Sequence, residues 1–298
     1  YSGSAFRYQP AGAASTHPRE FRQAGIESFA AADREQDDAA VVATIAEALG
    51  DAGLQQFQLR IGDLGLFNAL LDALPMPPRW RRRLKHHFWR PEAFRAELAR
   101  LTSKAALAVQ GLPDALVARL DPSKPGVAAA IVGGHLDQSG IELIGTRSLA
   151  EIGERLLAEA ADARETPLAR QDAALIESYV AVKGAAKTAA REIESLLRGR
   201  KLDLAGGLDA FRRRLELLGQ AGIDLDDAEF SAEFGRNLEY YTGFVFEMIV
   251  PKLGLESPVA GGGRYDSLLA DVGAPGQVAA VGSCIHTERL LAVLEGAP

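Results

Sequence analysis

The sequence predicts an α+β fold, an antiparallel sheet flanked by helices and carrying a mostly helical insertion. Three observations predict it. Strand-like alternation of apolar and polar residues is concentrated toward the two ends of the chain, in Phe6–Tyr8, Phe21–Glu27, Glu229–Phe234 and Tyr241–Val250. These strands are joined as hairpins or near neighbours, which favours antiparallel pairing over a doubly wound parallel sheet. Between them lies an alanine-rich, helix-patterned block with no repeat, low-complexity tract or flexible linker. The expected division is therefore a core of residues 1–74 and 199–298, with 75–198 as an insertion. The 298 residues suffice for one large or two ordinary domains, and 47% hydrophobic with 24% charged content is ordinary for a soluble globular chain.

Taken in order, Phe6–Tyr8 and Phe21–Glu27 form a hairpin around the loop Pro10–Pro18. Its polar face would gather Arg7, Arg19, Gln23 and Glu27, unless that face is simply solvated. Asp33 is placed to cap a helix reaching Leu49, with an apolar face of Val41, Ile45 and Leu49 and acids early in the helix to match its dipole. Phe57, Leu59 and Ile61 alternate as a buried strand. A helix from Leu64 to Leu74 is stopped by Pro75, Pro77 and Pro78. The basic, aromatic run Trp80–Arg90 has two readings. One is a surface for single-stranded nucleic acid or a protein partner. The other is an amphipathic helix with Trp80, Leu84 and Phe88 inward and its cations solvated. Short helices fill 91–120, Val127–Gly133 is a short apolar run, and longer helices are expected over Ser148–Ala163 and Leu168–Leu197.

Leu208–Gly219 reads as a helix with Arg212–Arg214 on its surface. Glu229–Phe234 and Tyr241–Val250 read as adjacent strands around the turn Gly235-Arg236-Asn237. Val278–Val281 is a buried strand, and Thr287–Leu294 closes the chain as a helix. The stretch Ser257–Asp266, SPVAGGGRYD, is expected to organise the molecule. Gly261, Gly262 and Gly263 let the backbone take positive φ and let a ligand approach closely. Arg264, Tyr265 and Asp266 then offer a cation, a phenol and a carboxylate, a set suited to a small zwitterion or a phosphate. The plain alternative is a strand-to-helix turn, with Tyr265 opening the helix and Arg264 and Asp266 as a surface ion pair.

Composition narrows the function classes. A net charge of −7 argues against broad nucleic-acid binding, which needs basic surface. A single cysteine, Cys284, excludes an internal disulfide and fits a reducing compartment. It shares a strand face with His286, and a buried, inert thiol is expected. His17, His86, His87, His135 and His286 lack partners at metal-ligand spacing. No apolar run of membrane-spanning length and no secretory signal are found. The chain enters mid-pattern at Tyr1, so residues are expected in front of it.

At this point the residues resemble class II aminoacyl-tRNA synthetases, and the histidyl branch in particular. Phe6-Arg-Tyr-Gln9 with Arg19-Glu-Phe-Arg-Gln-Ala-Gly-Ile-Glu27 resembles motif 2 of that family. Arg236-Asn-Leu-Glu-Tyr-Tyr-Thr-Gly243 and Gly262-Gly-Arg-Tyr-Asp266 resemble its two histidine-recognition motifs. Gly282-Ser-Cys-Ile-His-Thr-Glu-Arg289 resembles motif 3. The resemblance implies a six-stranded antiparallel sheet flanked by helices, and a histidine pocket. Carried over by position, Gln23 and Glu27 hold the histidine amino group and its surroundings, and Tyr240, Tyr241 and Tyr265 line the imidazole. Arg236 sits near the carboxylate, Gly262 and Gly263 belong to the pocket, and Arg7, Arg19 and Arg289 are vestigial phosphate arginines.

The departures from the pattern point further. Gln9 replaces an acid of motif 2, His286 replaces a motif 3 glycine that leaves room for nucleotide, and Asn237 and Glu239 are milder changes. The chain ends at Pro298, nine residues after Arg289, where a synthetase continues into an anticodon-binding domain. A kept histidine pocket, a damaged ATP pocket and no tRNA-reading module make the chain similar to the regulatory subunits of ATP phosphoribosyltransferase. That similarity implies a non-catalytic, cofactor-free, cytoplasmic protein. Its implied partners are the short-form catalytic subunit and L-histidine, within a hetero-oligomer containing its homodimer, with no tRNA and no membrane. The alternative is a histidine-activating, adenylate-forming enzyme or a histidyl-tRNA synthetase fragment.

Overall fold

A computed structural model of the chain describes residues 1–8, 18–235, 240–254 and 257–296. They form two compact units, one of residues 1–75 with 175–298 and one of residues 76–174. The first begins with strands β1 (Ser2–Phe6) and β2 (Glu20–Phe29), helix α1 (Arg34–Asp51), β3 (Gln58–Asp63) and α2 (Leu64–Ala73). The second holds α3 (Pro78–His87), α4 (Pro91–Leu101), α5 (Lys104–Leu107), α6 (Asp114–Arg119), α7 (Ala128–Ser139) and α8 (Leu149–Arg164). The unit boundary falls within α9 (Arg170–Val180). The first unit then resumes with β4 (Lys183–Ala185), α10 (Ala186–Leu197), α11 (Ala205–Gln220), β5 (Glu229–Ser231), β6 (Phe244–Ile249), β7 (Ala260–Arg264), α12 (Leu268–Asp271), β8 (Ala280–His286) and α13 (Thr287–Leu294).

The sheet of the first unit runs β1-β2-β8-β7-β6-β3-β5-β4. Its pairs are antiparallel except β3 with β5, which is parallel. The expected six-stranded antiparallel sheet is thus a mixed, eight-stranded one among the described residues. The expected pairing of Glu229–Phe234 with Tyr241–Val250 does not form, because β3 lies between β5 and β6. Nor is Leu168–Leu197 one helix. Lys183, Gly184 and Ala185 break it to pair with Ser231, Phe230 and Glu229, so residues 175–198 lie with the sheet. The first strand is Ser2–Phe6, in register with Ala24–Glu20, and Arg7 and Tyr8 follow it.

Local signals account for the helices around the sheet. Asp33 caps α1, its carboxylate accepting from Gln36 N at 3.1 Å, and Val41, Val42, Ile45 and Leu49 are buried. Asp63 caps α2 through Gly65 N at 2.8 Å, and Leu66, Phe67, Leu70 and Leu71 enter the core. Each such cap satisfies a helix N–H that the helix itself leaves unpaired.

The glycine run is not a turn. Gly261, Gly262 and Gly263 form the centre of β7, all with ordinary extended backbone. Their role is close approach. A Cβ on Gly262 would lie 2.0 Å from Gly282 O, and one on Gly263 would lie 2.7 Å from Phe244 O. Tyr265 does not open a helix, since α12 starts at Leu268. The buried strand expected at Val278–Val281 runs instead from Ala280 to His286.

In the second unit the basic run is α3, with Trp80, Leu84 and Phe88 buried as the amphipathic reading expects. Its cations are not all solvated, however. The buried carboxylate of Asp162 accepts from Arg79 Nε and Trp80 Nε1 at 2.7 Å, Arg83 Nη2 at 2.5 Å and Arg100 Nη2 at 2.9 Å. Burial opposes ionisation there, but these donors prevail and hold the carboxyl at about 2. Helix α8 opens on a capping box between Ser148 and Glu151. Val132, Leu157 and Ala160 form the centre of an apolar cluster beneath it.

Candidate functional site

The antiparallel register places one set of side chains on one face of the sheet. Gln23 pairs with His286, Gly25 with Cys284 and Glu27 with Gly282. Cys284 and Gly282 pair in turn with Gly261 and Gly263. Beyond them Glu247 pairs with Gly261, and Arg60 with Glu247. Cross-strand partners share a face, so this face is unusually rich in positions without side chains. That emptiness is occupied from the sides. A Cβ on Gly282 would fall 1.6 Å from Glu27 Oε2, one on Gly25 would fall 2.7 Å from Tyr1 Oη, and one on Gly263 would fall 2.9 Å from Tyr241 Cε1. The glycines therefore form a backbone floor on which a carboxylate and two phenol rings lie.

Above this floor opens a cavity of about 930 Å³. Glu27 accepts a hydrogen bond from the Tyr265 hydroxyl. The rings of Tyr240 and Tyr241 lie 4.6 Å apart, and Tyr240 meets Tyr265 edge-on at 5.6 Å. Gln23 Nε2 donates to Tyr1 Oη at 3.0 Å. Loss of hydration raises the Glu27 pKa, and the Tyr265 bond partly offsets it. The same loss, helped by Glu27, holds the Tyr265 hydroxyl protonated. Desolvation, together with Cys284, Glu27 and Tyr240, pushes the Tyr1 phenol to about 12. A carboxylate among neutral phenols can take up a small cation, by charge-assisted hydrogen bonds from an ammonium or imidazolium.

Of the residues singled out from sequence, Gln23, Glu27, Tyr240, Tyr241 and Tyr265 line this cavity together with Arg7 and Arg289. Gly262 and Gly263 do not line it. Gly263 lies beneath Tyr241, and a side chain on Gly262 would point at Ser283. Arg19 lies outside the cavity lining, although its carbonyl accepts from Arg7 N at 2.9 Å. Arg236, Asn237, Glu239, Gln9 and His17 lie outside the described residues. Cys284 is half-buried and lines the cavity, unlike the buried thiol expected. Arg7 stacks on Phe21 at 4.5 Å, and Phe21 meets His286 at 5.4 Å. Arg7, Phe21, His286 and Arg289 also border a second cavity of about 560 Å³, which reaches Lys252 and Glu288.

Arg264 and Asp266 belong elsewhere. Arg264 is buried, donating to Asp38 Oδ1 at 2.8 Å and to Asp266 Oδ1 at 2.9 Å. Asp38 also accepts from the buried Arg214 Nε at 2.8 Å, whose Nη1 reaches Asp63 at 2.7 Å. Burial pushes the Asp38 carboxyl up, while the two guanidiniums oppose that and favour its charge. Thus Arg214 is not surface, and of the GGGRYD stretch Gly261 and Tyr265 line the cavity. Arg60 and Glu247, paired at 2.5 Å on the cavity wall, were missed. Alternation of Gln58, Arg60 and Gly62 against Leu59 and Ile61, and a lone acid within Phe244–Val250, were the available signals.

Comparison with known proteins assigns this architecture. The histidyl-tRNA synthetase family matches residues 1–131 and 154–290. An ATP phosphoribosyltransferase regulatory subunit of Mesorhizobium japonicum is 36% identical over 301 aligned residues, covering 100% of this chain and 78% of its own. The chain belongs to the ATP phosphoribosyltransferase regulatory subunit family. A second regulatory subunit, from Brucella anthropi, is 33% identical over 97% of this chain and 75% of its own. Among solved structures, an ATP phosphoribosyltransferase regulatory subunit/histidyl-tRNA synthetase from Bacillus halodurans superimposes with a TM-score of 0.61. It shares 21% identity over 99% of this chain and 57% of its own. A Nostoc histidyl-tRNA synthetase gives 0.52 at 16% identity, over 94% of this chain and 51% of its own. At these identities the two structures establish the shared fold, a synthetase-like sheet carried by a regulatory-subunit family member.

Proposed function

We propose that this regulatory-subunit family member is a histidine sensor without chemistry of its own. It associates with the short-form catalytic subunit, which carries out the first step of histidine biosynthesis, and it brings histidine feedback to that subunit in the cytoplasm. One observation carries the reading. The Glu27–Tyr265 pair lies on bare backbone at Gly282, ringed by Tyr240 and Tyr241, which suits a small, cationic, planar group. Gln23 stands four residues before Glu27 on the same strand face, beyond Gly25, to meet the ligand's polar end. Feedback then requires only that histidine bind two states of the assembly with different affinity.

The test is a calorimetric titration with L-histidine, followed by ATP with Mg²⁺. Histidine is expected to bind, and Glu27→Ala to weaken it by about 1.5–3 kcal/mol, the worth of a hydrogen bond to a charged group. Unchanged affinity in that variant would remove Glu27 from the site. A second reading, a histidine-adenylating enzyme, is favoured by Arg7 and Arg289, which border both cavities. Histidine-dependent ATP–pyrophosphate exchange above background would establish it in place of the first.

A further inference from the structure

The second unit carries no part of the site described above, and it presents a groove of about 600 Å³. One wall is a stripe of α7, with Gly133, Leu136, Asp137 and Gly140 at helical spacing. The other is the loop that follows, through Ile141, Glu142 and Leu143, closed by Leu149 at the start of α8.

The loop is held at both ends. Gly140 ends α7 in the left-handed conformation, φ 64°, with its N–H on Asp137 O at 3.2 Å and Ile141 N on Leu136 O at 2.9 Å. This is a Schellman-type cap, which fixes the direction in which the chain leaves the helix. At the far end the Ser148–Glu151 capping box fixes the start of α8. Between these anchors Ile141 is 54% exposed, Leu143 46% and Ile144 88%. Three large aliphatic side chains held in water on one short loop form a patch that another surface would cover.

The charges select the partner. This unit has more lysine and arginine than aspartate and glutamate, yet both charged side chains lining the groove, Asp137 and Glu142, are acids. Arg147, later in the loop, does not line it. An apolar segment bearing a lysine or arginine fits this lining, with aliphatic side chains on Leu136 and Leu143 and the cation on the acidic rim.

We infer that the groove between α7 and the 141–147 loop is the docking surface for such a segment of the catalytic subunit. The inference rests on the regulatory reading and assigns its protein interface to residues other than those that line the histidine cavity. The test uses the full chain and the purified short-form phosphoribosyltransferase, with association read by sedimentation and histidine binding by calorimetry. Leu143→Asp combined with Ile144→Asp is expected to weaken association at least about ten-fold, with histidine affinity unchanged. Glu142→Lys is expected to weaken it as well, and to flatten its dependence on salt. Should the double variant lose helical circular dichroism, Glu142→Lys alone decides. Wild-type association in both variants would overturn the inference while leaving the regulatory reading intact. So would a change in the chain's own oligomeric state without the catalytic subunit, since a second copy would then occupy the groove. Absence of any association by the wild-type chain would overturn the regulatory reading and this inference together.

Discussion

Adding one methyl group at Gly282 tests the cavity floor directly. The Cβ of Gly282→Ala would fall 1.6 Å from Glu27 Oε2 and 2.9 Å from Ile26 O. Ordinary contact needs roughly twice the first distance. The carboxylate must therefore swing away by about 2 Å. It is the far end of a flexible side chain beside an open cavity, so most of the clash is relieved there, while the Ile26 carbonyl, a backbone atom at 2.9 Å, has to give by a few tenths of an ångström. The movement breaks the bond from Tyr265 and removes the anion from its place among the three tyrosines. A hydrogen bond to a charged group contributes about 1.5–3 kcal/mol, so histidine affinity should fall about 10- to 150-fold. Stability should fall as well, because the Ile26 carbonyl must shift, but less than in a variant whose closest clash is with backbone, since the displaced carboxylate regains hydration. Gly262→Ala is the control. Its Cβ would lie 2.0 Å from Gly282 O, a backbone atom that cannot swing aside, so the protein should fail to fold. Calorimetry for binding and differential scanning for unfolding separate the two effects. Wild-type histidine affinity in a folded Gly282→Ala protein would refute the placement of the ligand on this floor.

Two further outcomes follow from the same chemistry. Tyr265→Phe removes the hydrogen bond that lowers the Glu27 pKa, so that pKa should rise beyond its already raised value. Histidine binding, which needs the ionised form, should then fail at a higher pH than in wild type, as Kd measured against pH would show. In the second unit, the Asp162 carboxyl is held at about 2, below its unfolded value of roughly 4. A depressed pKa contributes stability that is fully present above the unfolded value and is lost as pH falls through the folded one. Acid unfolding followed by circular dichroism should therefore show a loss between about pH 4 and pH 2 that Asp162→Asn abolishes. The variant should also be less stable at neutral pH by about 2–3 kcal/mol, the worth of a carboxyl pKa lowered from roughly 4 to about 2, while Glu165 and Glu97 still pair the three guanidiniums.

How much of this was legible depended on whether a residue's partner is near in sequence. Glu27 and Gln23 were readable because alternation within one strand put them on one polar face, and the hairpin supplied Arg7 nearby. Asp33 was readable as a cap because a cap acts within one turn. Arg264 was not readable as buried, because the carboxylate that holds it, Asp38, is 226 residues away in sequence. From sequence the arginine could only be given to a ligand or to its neighbour Asp266, which does in fact bind it. The strand Lys183–Ala185 left no trace, since three residues cannot display a period and its pairing with β5 is set by the fold. The parallel pairing of β3 with β5 was hidden for the same reason. The glycines were noticed for their freedom to take positive φ, but each is extended. What they supply is the absence of a side chain.

That absence bears on how such a pocket could change its ligand. In most binding sites, selectivity is retuned by exchanging side chains all around the cavity. Here the base is peptide backbone packed against Glu27, Tyr1 and Tyr241, and every exchange available to a glycine adds atoms where none fit. Drift toward a new effector is thus confined to the walls, to positions such as Tyr240, Arg60 and Glu247. A library that randomises those wall positions and spares Gly25, Gly263 and Gly282 would search the part of sequence space in which the sheet survives.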